Sequence, residues 1–157
     1  MPFDDAAGAV RRTLTVHVPV ERAFAIFTER LEVWWPREYT WGKEAMESIG
    51  IECHEGGFCY ETGPNGFLCH WGRVLEWDPP HRLVLSWQIS PERAPEPNPD
   101  KASEIEIRFI AEGPRTIVEF EHRCFGRHGE GGARYRAAMD SPQGWTYILQ
   151  RYASEAT

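Results

Sequence analysis

The chain has no run approaching the roughly 18 consecutive apolar residues that cross a bilayer, so a membrane-spanning helix is not expected. Its opening, MPFDDAAGAVRR, lacks the basic-then-apolar order of a secretory signal. Basic side chains are in the minority, 17 Lys and Arg against 24 Asp and Glu in 157 residues, for a formal charge of −7 with histidine neutral. Proteins that neutralise phosphates or anionic headgroups need clustered Lys and Arg. Neither nucleic acid nor a membrane is therefore an expected partner. The sequence has no internal repeat and no charge block. It has neither a C-x-x-C nor an H-x-x-x-H element, so no metal is expected. GEGG at residues 129–132 has no preceding strand and no P-loop lysine after it, and reads as a flexible connection rather than a phosphate cradle. The four cysteines, Cys53, Cys59, Cys69 and Cys124, lie in a chain long enough to build a core without staples, and are expected to be reduced in a cytoplasmic protein.

Aromatic residues, by contrast, are abundant: 13% of the chain, with seven tryptophans. Together with a 41% hydrophobic share they support one folded domain over residues 1–157. Residues 90–100, SPERAPEPNPD, form a Pro-rich loop expected to be a mobile excursion within that domain. Residues 10–18 alternate as a strand with one apolar face. Pro19 then opens a helix, or two short ones, with Val20, Phe24, Phe27 and Leu31 on its buried stripe, ending before Pro36. Ser141 is expected to cap, and Pro142 to open, a C-terminal helix with Trp145, Ile148, Leu149 and Tyr152 on one face.

Between these helices, residues 48–124 read as an antiparallel meander. The turn GPNG would pair Thr62 with Phe67, Tyr60 with Cys69 and Phe58 with Trp71, giving one aromatic face and setting Cys59 and Cys69 on opposite sides. The next hairpin would match Trp77 with Leu83, Leu75 with Leu85, Arg73 with Trp87 and Trp71 with Ile89, which turns Arg73 inward. A bulge that returns Arg73 to solvent is the alternative. In the last hairpin Ile105 meets His122, Ile107 meets Phe120 and Phe109 meets Val118. On its solvent side Glu104 faces Arg123, Arg108 faces Glu119, and Glu106 unfavourably faces Glu121.

The inward set is therefore Phe58, Tyr60, Phe67, Trp71, Arg73, Trp87, Phe109, Phe120, His122 and, from the helix, Trp145. These residues either fill a core or line a ligand cavity, where an inward Arg73 would suit a carboxylate. Trp34, Trp35, Tyr39 and Trp41 offer a binding mouth or ordinary packing. Neither Arg73 nor His122 has an acid, base or nucleophile partner at motif spacing, so no catalytic residue is assigned.

The segment WGRVLEWDPPHRLVLSWQI (71–89), with GGFCYET before it, SEIEIRF and TIVEFEH after it, GWTYILQRYA near the end and VPVERAFAIFTERLEVWWP near the start, resembles the activator-of-Hsp-90-ATPase-homologue family. That family lies within the START-related, Bet-v-1-like helix-grip superfamily. The resemblance implies an α+β helix-grip fold: a curved antiparallel sheet wrapped around a long C-terminal helix, with two short helices after the first strand and a cavity between sheet and helix. The scaffold hosts many activities. The leading expectation is non-enzymatic binding of a small apolar or amphipathic molecule, without a cofactor. A protein-interaction module related to chaperone regulators and a cyclase or hydrolase of the polyketide-cyclase type are the alternatives.

Overall fold

A computed structural model describes residues 8–157 of the chain. Strand β1 (Val10–Val16) leads through Pro19 into α1 (Val20–Glu29) and α2 (Leu31–Trp34). Two short 3-10 turns come next, and then β2 (Ser48–Ile51), β3 (Phe58–Thr62), β4 (Leu68–Asp78), β5 (Arg82–Trp87), β6 (Ser103–Glu112) and β7 (Arg115–Arg123). Helices α3 (Gly132–Met139) and α4 (Tyr147–Glu155) close the chain. The seven strands form one antiparallel sheet in the order β1-β7-β6-β5-β4-β3-β2, curled around α4 in a helix-grip fold. No helix among the described residues is long and apolar enough to cross a membrane.

The apolar stripes explain why the layers meet. Val20, Phe24 and Phe27 of α1 are buried, and Phe24 and Phe27 contact Phe109 of β6 edge-on at 5.2 and 5.9 Å. From α4, Tyr152 packs on Phe27 and Trp34 and donates its hydroxyl to the Ala23 carbonyl at 2.8 Å. Ile148, Leu149 and Tyr152 are all buried, as their helical spacing requires. The C-terminal helix starts later than its apolar periodicity suggests. Residues 142–146 form a wide π turn, and Ser141 gives its hydroxyl to the Ala138 carbonyl instead of capping. Gly144 explains the break: a Cβ there would sit 2.2 Å from the Met139 carbonyl oxygen, so only glycine lets α3 and the turn cross so closely.

The β6–β7 hairpin adopts the register its tight turn dictates, with Ile105 opposite His122, Ile107 opposite Phe120 and Phe109 opposite Val118. On the outer face Arg108 and Glu119 are exposed, while Glu104 and Arg123 are half-buried beneath Arg127. The Glu106–Glu121 pairing is relieved by arginine. Arg82 and Arg108 donate to Glu106 at 2.6 and 2.7 Å, and Arg123 bonds both Glu106 and Glu121. Burial works against the charged form of Glu106, yet hydrogen bonds from Arg82, Arg123 and Arg108 outweigh it and hold its pKa at about 2.

The other hairpins depart from the expected registers, through extra residues in β4 and, between β3 and β4, a turn one residue longer than expected. Near its turn the β4–β5 pairing is as expected, Trp77 opposite Leu83, but Val74 then pairs with Leu85 and Leu75 is left without a partner. Against β3, Thr62 pairs with Leu68, Glu61 with Cys69 and Tyr60 with His70, one residue off the expected register, and Trp71 is skipped before Gly72 meets Cys59. Two extra residues in one strand are two bulges, and each reverses the facing of the residues beyond it. Because Glu61 rather than Tyr60 lies opposite Cys69, Cys59 and Cys69 share the inner face, both buried, contrary to the opposite-face expectation. Cys53, Cys59 and Cys69 are free thiols, and burial pushes that of Cys69 up to about 11. The described residues contain no cluster of ligands able to hold a metal.

Two connections carry local structure of their own. GEGG belongs to a 3-10 segment, Phe125–Gly131, that runs directly into α3, so it is structured. The Pro-rich excursion is tied down: Ser90 and Ala94 close a turn, Glu96 bonds Gln88 through the backbone at 2.9 Å, and Ile89 bridges to Pro95.

Candidate functional site

The concave side of the sheet is divided. Around α4 it is filled by Phe24, Phe27, Trp34, Phe109 and Tyr152. Towards one end, between the sheet, the 35–43 segment, the Pro-rich loop and the α3–α4 junction, the packing opens into a cavity of about 590 Å³. Its wall carries Trp35, Trp41, Trp71, Trp87 and Tyr39, with Glu38, Lys43, Glu61 and Arg93 as its charged groups. Trp35 contacts the rings of Trp71, Trp87 and Trp145 at 6.0 to 6.2 Å.

Three segments of the rim are locked to one another by specific bonds. Glu61, 0% exposed, accepts the backbone N–H groups of Trp41 at 3.1 Å and Gly42 at 2.8 Å. A Cβ on Gly42 would come within 2.9 Å of the Met46 backbone and 3.3 Å of Glu61 Oε2, so the missing side chain makes room for this close approach. Trp41 gives its indole N–H to the Arg93 carbonyl at 2.9 Å, joining the segment to the Pro-rich loop. Tyr39 donates its hydroxyl to the Gln143 carbonyl at 2.7 Å, joining it to the α3–α4 junction. Beside it Tyr147 donates to Glu38 at 2.7 Å, which holds that carboxyl below the usual carboxylate range.

Beneath the cavity lies a polar chain whose direction is set by a donor-only group. Trp145 gives its indole N–H to His122 Nδ1 at 2.9 Å, so His122 carries its proton on Nε2 and donates to Ser103 Oγ at 2.7 Å. The Ser103 hydroxyl then donates to His128 Nε2 at 2.8 Å. Burial, reinforced by His128, pushes the His122 pKa well down, and burial lowers that of His128 to about 4. Both imidazoles are neutral near pH 7.

The ten residues of the expected inward set thus separate. Trp71 and Trp87 line the cavity; Phe120 and Trp145 join them around an adjacent void of about 10 Å³; Phe109 and His122 are core. Phe58, Tyr60 and Arg73 face outward, the first two because the longer turn shifts the β3–β4 register by one residue and Arg73 because of the bulge at Leu75, while Phe67 lies in the turn itself. Phe58 stacks on His70 at 3.9 Å with the Arg73 guanidinium 4.4 Å over its other side, Arg73 also bonds the Gly56 carbonyl, and Phe67 is 40% exposed. Arg73→Ala is accordingly expected to cost under about 1 kcal/mol, as for exposed cation–π contacts, and to leave any cavity ligand's affinity unchanged. Chemical denaturation and a parallel titration check both. Sequence reasoning missed Glu61, because the expected pairing of Tyr60 with Cys69 would set Glu61 on the side away from Cys69, whereas the longer turn pairs the two and brings Glu61 inside. Trp35, Tyr39 and Trp41, flagged as a mouth or packing, are wall residues, whereas Trp34 is core.

The profile of the family described as "Activator of Hsp90 ATPase homolog 1-like protein" matches residues 17–155. The chain belongs to that family. Among solved structures, an anthrahydroquino-γ-pyrone synthase is 37% identical, with a TM-score of 0.67 over 98% of this chain and 99% of the other. The self-sacrificing resistance protein CalC from Micromonospora echinospora is 28% identical, with a TM-score of 0.66 over 94% and 93%. A protein from Nitrosomonas europaea, 17% identical with a TM-score of 0.67 over 96% and 94%, shares the fold. No curated protein matches the sequence.

Proposed function

We propose that this family member binds a flat, polycyclic aromatic compound of polyketide type in the rim cavity and assists closure of a ring in it. The observation that carries the reading is the cavity: about 590 Å³, in the range that encloses a drug-sized ligand, with four tryptophans and a tyrosine on its wall. The 37% identical synthase, similar over nearly its full length, supports the ring-closing half and favours it over binding alone. In such a closure an aryl hydroxyl adds to a carbonyl carbon, forming a C–O bond as its proton passes to the carbonyl oxygen. The resulting hydroxyl then leaves as water with a second proton, taken from the adjacent α-carbon as the ring C=C bond forms. Each Glu61 oxygen accepts one backbone N–H, which leaves a lone-pair direction on each for these transfers.

Two measurements test this. 1,8-Dihydroxyanthraquinone is expected to quench tryptophan fluorescence with micromolar affinity, and Trp35→Ala to weaken it about tenfold or more, since stacked aromatic area is lost. An ortho-hydroxyaryl 1,3-diketone is expected to lose one water in the protein's presence, read by mass. The binding reading is overturned by absence of quenching up to the solubility limit. Binding without dehydration of any such diketone would leave a carrier rather than a catalyst.

A further inference from the structure

Resting on the cavity reading above, we infer that Trp71 is the specificity-determining donor of the site: its indole N–H recognises a ring-conjugated carbonyl oxygen on the bound aromatic compound. Four other tryptophans satisfy their N–H groups within the protein. Trp34 donates to the Ile26 carbonyl, Trp41 to the Arg93 carbonyl, Trp87 to the Tyr135 hydroxyl and Trp145 to His122, all between 2.7 and 3.1 Å. Trp71 differs. It is 3% exposed, and its Nε1 has no hydrogen-bond partner among the described residues. Buried donors are almost always paired, because an unpaired one forfeits its bond to water and gets nothing back.

The position of Trp71 says what could pair it. The ring belongs to the walls of both the 590 Å³ cavity and the adjoining 10 Å³ void, and it is the extra residue of the bulge against β3. Its other neighbours in that void, among them Phe27, Leu31, Leu85, Ile105 and Phe120, are carbon-walled and offer no side-chain acceptor. The larger cavity's wall does carry acceptors, Glu61 and Thr40 among them, but none bonds Trp71 Nε1, so we assign the acceptor to whatever occupies the cavity. An indole N–H only donates, so its partner must offer a lone pair, and on a polycyclic aromatic compound of this type the quinone or pyrone carbonyls are the strongest such acceptors. A site built to bond such an oxygen discriminates against an isostere lacking it, because the donor would then stay buried and unpaired.

Anthraquinone-2-sulfonate and anthracene-2-sulfonate test this, since they share shape and charge and differ in the two carbonyl oxygens. The protein is expected to bind the quinone about tenfold more tightly, and Trp71→Phe to bring the ratio of the two affinities close to one, whatever the smaller ring does to both. A second readout needs no variant. With ¹⁵N-labelled tryptophan and backbone-linked assignment, the Trp71 indole N–H resonance is expected to move downfield with the quinone and not with the anthracene. Equal affinities, together with an unmoved Trp71 resonance, overturn this inference and leave the cavity reading standing. If neither compound nor 1,8-dihydroxyanthraquinone binds, both fall.

Discussion

Replacing Glu61 with Ala is expected to destabilise the protein by about 3 kcal/mol and to free the rim that carries Trp41. The carboxylate is fully buried and accepts two backbone N–H groups, from Trp41 and Gly42. Hydrogen bonds to a charged group contribute about 1.5 to 3 kcal/mol each, and an orphaned buried donor adds a desolvation penalty. Summing two such terms overshoots, because the neighbouring cavity lets water reach the vacated site and recover part of both. Glu61→Gln separates the contributions. Its one carbonyl oxygen can accept one N–H, while its NH₂ opposes the other, so a smaller loss of about 2 kcal/mol is expected. Urea denaturation measures the stability. Hydrogen exchange at the Trp41 and Gly42 amides reads the rim, where protection should vanish in the alanine variant and survive at one amide in the glutamine variant. An alanine variant within about 1 kcal/mol of the parent, with both amides still protected, would show that the carboxylate holds nothing.

Glu61 also marks where the sequence stopped being legible. Alternation and turn chemistry fix the β6–β7 register because Gly113 and Pro114 close a short turn and no extra residue interrupts the strands, so every pair from Glu104–Arg123 to Glu112–Arg115 is in step. The helical stripe Trp145, Ile148, Leu149, Tyr152 is legible for a similar reason, since four apolar residues at helical spacing have only one layer to face. In β4 the same alternation misleads. LCHWGRVLEW can be threaded with Trp71, Arg73, Leu75 and Trp77 on one face, and local pattern carries nothing that locates an extra residue. Skipping Leu75 turns Arg73 outward, and the extra turn residue before Leu68 sets Phe58 and Tyr60 outside and Cys59 and Glu61 inside. The one readable hint is Gly72, where a Cβ would lie 2.3 Å from the Ser86 carbonyl oxygen, so a glycine there signals close backbone approach. The aromatic excess did point to a wall; which aromatics form it depended on long-range register.

Acid is expected to lower stability by about 2 to 3 kcal/mol between pH 7 and pH 5, through the His122–Ser103–His128 chain. Burial lowers the folded-state pKa of His122 well below the ordinary value near 6.5, with His128 adding to the effect, and burial lowers that of His128 to about 4. For a base with a depressed folded pKa, the unfolded chain binds more protons below 6.5, so stability is full above that pH and falls as acid is added. Each such imidazole costs about 1.4 kcal/mol per pH unit, or about 2 kcal/mol from 6.5 to 5. His128 is half-exposed, so its share is discounted for solvent screening. Geometry gives the same sign: a proton on His122 Nδ1 would point at the Trp145 N–H, and one on His128 Nε2 would leave the Ser103 hydroxyl hydrogen without an acceptor. The window is distinct from that of Glu106, whose depressed pKa of about 2 contributes stability that is present above about 4.5 and lost only below it. Urea midpoints across pH 5 to 8 measure the slope, and His122→Gln, which keeps an acceptor for Trp145 without a titrating group, should flatten it. A native protein equally stable at pH 5 and pH 7 would mean that the imidazoles take up protons without unfolding, which the one-directional chain from Trp145 to His128 does not permit.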